Sequence, residues 1–337
     1  MSILPLHRDF GAATRSLVRA CAAHGIAALD KTSPAKVVGR EWSRDEAADW
    51  LVRSATVPLD TGSAPGLVRQ VVADLVSTLA SQSAAARLFA NGLRLSFDGA
   101  GSIVVPTLQG DASYAAFVGE NGPIPVMQGK TDPLIAMVPR KLATLVVASY
   151  AMLKSSNIEA LLLDMLTRSV ALALDTTLFD GNPDDGTRPA GIRCGIATLV
   201  ASTAPDAMDA LMNDVEALSE AVEPVTTTQA SFIMSPTRAM MAQIRSAHRL
   251  DPMKVFGSGG LQGSKDIIAI TPNVIASVLD GVPEIVTAMH AAPLMDTAGT
   301  TVKSMWQSDC VAILVRLPVS WAVRSPAGVA WLTPTNW

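Results

Sequence analysis

Residues 116–192 carry the reading of this chain: AFVGENGPIPVMQG (116–129), PRKLATLVVASYAMLKSS (139–156), NIEALLLDMLTRSVALALDTTLFDG (157–181) and RPAGI (188–192). The order is an extended Gly/Pro-rich arm containing an acid, then a strand, one long helix and a Gly/Pro stop. The apolar run at 142–148 reads as a buried strand. Ser156-Asn157-Ile158-Glu159 is a capping box that opens the helix. Ile158, Leu161, Leu162, Met165, Leu166 and Ala173 form its apolar stripe, and Asp164 and Arg168 are spaced to pair on its surface. The helix is expected to reach about Phe179 and stop at Gly181, on the order of 35 Å at about 1.5 Å per residue. No nucleophile, metal cluster or phosphate loop falls in this stretch, so its contribution is architectural.

Upstream of the strand, residues 109–139 are rich in Gly, Pro, Asp and Asn and too poor in apolar residues to form a core. Loops longer than about 15 residues inside a compact domain are normally functional or disordered. This one is expected to be an arm packing on a neighbouring subunit, with Asp111, Glu120, Lys130 and Asp132 as its charged contact candidates. The competing expectation is solvated charges on a loop, since exposed pairs contribute only about 0–1 kcal/mol. Segments 93–97 and 103–105 flank Asp98-Gly99-Ala100-Gly101 and read as a hairpin. Residues 67–89 read as one amphipathic helix through Val68, Val71, Val72, Leu75, Val76 and Leu79. VPLDTGSAPG (57–66) is a turn-rich linker and the clearest boundary. Residues 1–55 read as helical, with Leu17, Val18, Cys21 and Ala28 on the first apolar face. Ser43 and Glu46 read as the capping box of a second helix whose apolar face holds Trp50 and Leu51.

Downstream, Asp206 is expected to cap a helix through Leu211, Val215 and Leu218 that ends before Pro224. A strand at 232–234 leads to Ser235-Pro236, an N-cap and N1 proline heading a helix at 237–247. Further strands are expected at 267–270, 284–289, 311–315 and 321–324. With no internal repeat and no regular βαβ alternation, the fold class is α+β with mixed sheets.

Of 337 residues, 49% are hydrophobic and 17% charged, enough to bury a large core and leave apolar surface for partners. A net charge of −4 provides no basic field for tight nucleic-acid binding. Cys21, Cys194 and Cys310 are widely spaced, without a CxxC pair, and read as buried hydrophobes in a reducing cytoplasm rather than as disulfides or zinc ligands. No signal peptide is evident, and apolar runs such as 142–153 are too short to span a bilayer, so no membrane role is expected. His7, His24, His248 and His290 show no metal-binding spacing, and no GxSxG elbow occurs. FGSGGLQGSK (256–265) has neither dinucleotide nor Walker order and reads as a flexible loop tip. No cofactor is expected. Trp306 and Trp321 are expected in the core, and Trp331 and Trp337 at a docked end. Trp42, Trp50 and Trp337 are also candidates for contacts between subunits.

Taken in order, these segments resemble the major capsid proteins of tailed phages with the Hong Kong 97-like fold, over roughly residues 65–330. The resemblance rests on the helix and hairpin (67–105) before the AAFVGENGPIP arm, PRKLATLVVASYAML, the long helix closing on LFDGN and RPAGI, FIMSPTRAMMAQIR, and the ending APLMDTAGT with MWQSDCVAILVRLPVSWAV. It implies an N-terminal helical arm (1–66), a peripheral domain (67–108 and 140–194) containing a spine helix (157–180), and an extended loop (109–139). An axial domain (195–300) and C-terminal strands returning to the peripheral domain (301–337) complete it. It further implies a homo-oligomer of pentamers and hexamers that forms an icosahedral shell around double-stranded DNA. The shell would bind that DNA without sequence specificity and work with portal, scaffolding and decoration proteins. Some relatives lose an N-terminal segment to a protease; here residues 1–60 are expected to be kept. Cross-linking through Lys130 is not expected. The alternative function is an encapsulin-like nanocompartment shell around a cargo enzyme. The rival class, a soluble enzyme, needs a catalytic constellation that the sequence lacks.

Overall fold

The computed structural model describes residues 12–54, 79, 82–97, 100–107, 134–153, 158–225, 229–246, 255–279, 284–293 and 304–337. It divides into two units. The first comprises Met1–Gln82, Lys141–Ala171 and Leu279–Val319; the second comprises Ser83–Arg140, Leu172–Val278 and Ser320–Trp337.

In the first unit, α1 (Ala12–Asp30) is buried around its circumference, because small residues let neighbours approach on every side. Ala20, Cys21, Ala22 and Ala23 follow one another, all inaccessible to solvent. The helix packs on α2 (Pro34–Glu41), α3 (Glu46–Ser54) and the strand β9 (Glu284–Ala288). Leu153 and Ile313 crowd against Gly25. Asp45, not Ser43, caps α3; Ser43 lies in the preceding turn. Asp45 Oδ1 accepts the Ala48 N–H (2.9 Å) and the Ser16 hydroxyl (2.7 Å), and Oδ2 accepts Arg19 (2.8 Å), tying α3 to α1. Burial alone would raise the Asp45 pKa, but these donors outweigh it and hold it below its usual value.

The strand of the opening stretch, β4 (Arg140–Ser149), alternates between half-buried and exposed positions over much of its length, so it is not buried on both faces as expected. Both β4 and β9 pair with β10 (Cys310–Val323), and β9 runs antiparallel in the register Ala312↔Ala288 to Arg316↔Glu284. The two strands expected at 311–315 and 321–324 are therefore one. The β9 ladder stops at Arg316, two residues before Pro318.

In the second unit, the helix expected over 67–89 does not run through. Gln82 and Ser83 break it, and Ser83 caps a separate α4 (Ala84–Asn91) by accepting the Ala86 N–H. The hairpin expected at 93–105 is also absent. The Ala100 N–H does donate to Phe97 O (2.7 Å), but the turn redirects the chain. β1 (Leu93–Leu95) pairs in parallel with β8 (Ile275–Leu279), and β2 (Ile103–Pro106) pairs antiparallel with β3 (Leu134–Met137). Phe97, Val105, Met137, Ala276 and Val278 share one cluster, so burial favours distant partners over the local hairpin.

A four-stranded sheet runs in the order β11 (Val329–Leu332), β7 (Ile267–Ile270), β5 (Ser231–Met234) and β6 (Val255–Gly257), with only the β5–β6 pair parallel. β7 reads IIAI without alternation because it is buried on both faces. α6 (Ala207–Val222) and α7 (Pro236–Arg245) cover one face through Leu211, Leu218, Val222, Ala239 and Ala242. The expected Asp206 cap is present, accepting the N–H groups of Met208 and Asp209.

The long helix α5 spans Ile158–Leu178. Ser156 and Asn157 of its capping box lie outside the described residues, as do the 57–66 linker and most of the arm.

Candidate functional site

Asp175 near the end of α5 is the most heavily coordinated carboxylate among the described residues. It is 1% exposed. Its oxygens accept the Ser83 hydroxyl (2.5 Å), the Ser258 hydroxyl (2.7 Å) and the N–H groups of Ala85 (3.0 Å) and Ala84 (3.3 Å). The carboxylate thus sits at the N-terminus of α4, where unpaired N–H groups and the helix dipole favour negative charge. The loop at 258–262 is built onto the same point. A Cβ on Gly260 would lie 2.4 Å from the Asp175 carbonyl carbon and 2.5 Å from Thr176 N, so only glycine allows this approach. The flexible loop tip expected at 256–265 is therefore a packed joint with Ser258 fully buried. It cradles a carboxylate of its own chain rather than a phosphate.

Residues 180–193 form a turn fixed by ion pairs. Arg140 Nη2 donates to both oxygens of Asp184 (2.8 and 2.9 Å), and Arg140 also donates to Gly186 O. Asp185 accepts the Thr187 hydroxyl and the N–H groups of Thr187 and Arg188, which hold its pKa at about 2. The end of α5 is closed by Arg193 Nε on Phe179 O (2.8 Å) and Ile192 N–H on Leu178 O (2.8 Å) rather than by a left-handed Gly181. Despite its acids, this turn is no metal centre: among the described residues, no group of three or more His, Cys, Asp or Glu could hold an ion. No described helix is long and apolar enough to cross a membrane.

What the described surface offers instead is apolar area. Leu161, Met165 and Leu172 are exposed at i, i+4 and i+11, one face of α5, while Ile158, Leu162 and Leu166 are buried on another. The single stripe expected from the sequence thus splits into a core face and an outward face. Leu145 on β4, Val104 on β2 and Val286 on β9 are also exposed. Asp164 and Arg168 pair at 3.3 Å on the outside of α5, as expected.

The candidate contact residues are scattered. Asp111, Glu120, Lys130 and Asp132 lie outside the described residues. Trp42 closes α2, donating its N–H to Val38 O, and like Trp50 on α3 is half-buried. Trp337 is half-buried within its own chain: its indole N–H donates to Asp214 Oδ2 (2.7 Å), and Arg238 lies 5.2 Å over its ring. Trp331 is held by Ile196 O (2.9 Å) and Arg193, so both terminal tryptophans are docked. Trp321 is in the core, but Trp306 is 73% exposed, against expectation, because its turn (304–309) presents it outward. Asp175 was missed although its signal is in the sequence. An acid at i+4 from Ala171 and i−3 from Leu178 falls on the buried side of the helix.

Residues 66–308 match the model of the phage capsid family. Among solved structures, one from Mycobacterium phage Bobi aligns at 12% identity, covering 76% of this chain and 91% of that chain, with a TM-score of 0.51. One from Microbacterium phage Oxtober96 aligns at 15% identity over 75% and 91% (TM-score 0.49). The satellite phage P4 procapsid including size determination (Sid) protein aligns at 11% identity over 87% and 97% (TM-score 0.49). No curated protein sequence matches the chain.

Proposed function

This chain belongs to the phage capsid family, and from that premise we propose how it builds a shell. It is a phage major capsid protein with a mixed α+β, Hong Kong 97-like fold. It is a structural protein rather than an enzyme, a component of the virion, and copies of it form the icosahedral head. In our reading those copies associate as pentamers and hexamers around double-stranded DNA. Residues 67–108 and 140–194 act as peripheral domain, 157–180 as spine helix, 195–300 as axial domain, and 301–337 as returning strands. The extended loop at 109–139 reaches a neighbour through Asp111, Glu120, Lys130 and Asp132, while Trp42, Trp50 and Trp337 add apolar contact. Portal, scaffolding and decoration proteins complete the assembly.

The observation that carries this reading is the family match across residues 66–308. The surface supports it. A lone subunit that leaves Leu161, Met165, Leu172 and Leu145 in water gains about 25 cal/mol per Å² when a neighbour covers them. Many such moderate contacts, repeated by symmetry, let misplaced subunits dissociate while the closed shell persists. A net charge of −4 suits a wall that must not trap the genome it encloses. The N-terminal segment is retained in our reading: removing it would strip α1 from β9 and uncover Ile313 and Leu153.

Electron microscopy of the chain expressed alone tests the proposal. Closed shells, or rings of five and six, support it. Nuclease-protected DNA in particles from induced cells supports the genome as content, and a protein cargo in its place overturns that part. A chain that stays monomeric at high concentration, even with neighbouring genes co-expressed, overturns the assembly scheme.

A further inference from the structure

The segment 198–206, which leads into α6, holds no helix or strand; its contact with the sheet is a bridge between Leu199 and Leu332. Its position therefore rests largely on side-chain bonds. Ser202 is the centre of them. The Ser202 N–H donates to Asp214 Oδ1 on α6 (2.6 Å), and the Ser202 hydroxyl accepts the Ala204 N–H (3.2 Å) and the Asn213 side-chain amide (3.3 Å). The other oxygen of Asp214 serves a different part of the chain: the Trp337 indole N–H donates to Oδ2 (2.7 Å). Asp214 is 1% exposed, so a donor lost at either oxygen is not replaced by solvent while the site stays closed. The chain leaving β11 runs along the same segment. Thr335 donates to Ser202 O (3.4 Å) and Asn336 to Ala204 O (2.9 Å), and Thr333 anchors the start of this stretch on Asp266 (2.6 Å). Arg238 lies 5.2 Å over the Trp337 ring, and Trp337 packs with Leu199 and Ala201 on the core of the four-stranded sheet.

We infer that residues 333–337 are a strap that fastens segment 198–206, with Asp214 as its catch. One buried carboxylate holds strap and segment through different oxygens. Stripped of one donor, it is an under-partnered charge in a closed site, and the closed state loses stability relative to one that opens it to water. The opening available is release of the segment that Asp214 holds, so strap and segment are fastened or freed together. Trp337 is thus a positioning residue that acts on Ser202 through Asp214. What the strap positions is an apolar point on the surface, since Val200 in the fastened segment is 90% exposed. Openings governed by a few side-chain bonds lie below global unfolding in free energy, so this one is separable from loss of the fold.

Hydrogen exchange in the full-length, unassembled subunit tests it. Trp337→Phe keeps a ring beneath Arg238 and removes the N–H. Exchange at the Ser202 amide should quicken roughly tenfold, while Ile268 and Ala269 in β7 keep wild-type protection. Asp214→Asn is close to isosteric but offers one acceptor oxygen to two donors. It should quicken exchange at both the Ser202 amide and the Trp337 indole. A wild-type rate at Ser202 in Trp337→Phe means that strap and segment are held independently, which overturns the inference. Faster exchange spread equally through β7 also overturns it, because that marks general loosening rather than a released catch. In Asp214→Asn, quickening at neither reporter or at one alone removes Asp214 as the shared catch. The shell reading stands under any of these results, since all are read on single subunits.

Discussion

At the scale of single residues, Asp175 is the point of greatest leverage. Asp175→Ala removes the acceptor for two hydroxyls and two helix N–H groups in a site closed to water. The expected loss is about 3–5 kcal/mol, read as a lower urea midpoint. Gly260→Ala drives a methyl group into the α5 backbone and should be at least as damaging, because the obstructing atoms cannot rotate away. His24 supplies a pH dependence. It is 8% exposed, and its Nε2 has no partner. Burial lowers its pKa from the ordinary 6.5, so the folded state keeps it neutral. Above 6.5 neither state is protonated and there is no penalty. As pH falls below 6.5 the unfolded chain takes up a proton that the native state resists, so this contribution to stability is lost on acidification. Urea midpoints compared at pH 7.5 and 5.5 should show a drop that shrinks in His24→Gln. Three residues before His24 on α1, burial pushes the Cys21 thiol up to about 12. A maleimide at pH 8 should therefore leave Cys21 unlabelled in the native protein and label it in urea.

At the scale of elements, α5 offers an internal comparison. Leu162→Ala on the buried face should cost about 2–5 kcal/mol of subunit stability. Leu161→Ser with Met165→Ser on the outward face should change it by only about 0.5 kcal/mol per site while reducing particle yield. Differential scanning calorimetry of unassembled subunit, set beside sedimentation of assembled particles, separates the two. The existence of α5, α6, α7, β5 and β7 was legible in the sequence because each has a local signature. A 3.6-residue stripe, Asp206 as a cap, Ser-Pro at 235–236 and a short IIAI run need no distant partner to be read. The same Ser-Pro signal at 33–34 heads α2 and was passed over. Other features were illegible for physical reasons. Ser83 caps α4 in concert with Asp175, 92 residues away. β1 chooses β8, more than half the chain away, over the adjacent β2. In the candidate site, the tryptophans could be picked out by type. Whether an α5 leucine faces core or solvent depends on what packs against it, which periodicity alone does not say.

At the scale of the molecule, the extended loop and the N-terminal segment decide how the shell reading fares. Asp111→Lys with Glu120→Lys should lower particle yield several-fold and leave the subunit melt unchanged, if the loop reaches a neighbour. Mass spectrometry of assembled particles should find residues 1–60 present; particles lacking them would remove that segment from the scheme. The position of α1 also bears on how the protein is made. The helix emerges early from the ribosome, yet Ile313 and the β9 strand that cover it are synthesised near the end. At about 5–20 residues per second the wait is on the order of 15–60 s, during which an apolar helix has no native partner. Closure by such distant segments is the kind of long-range contact that slows folding. It also means that a prematurely terminated chain cannot complete the unit that carries the outward α5 leucine and methionine. Truncated translation products should therefore be absent from assembled particles, so that the connectivity itself sorts finished chains from unfinished ones.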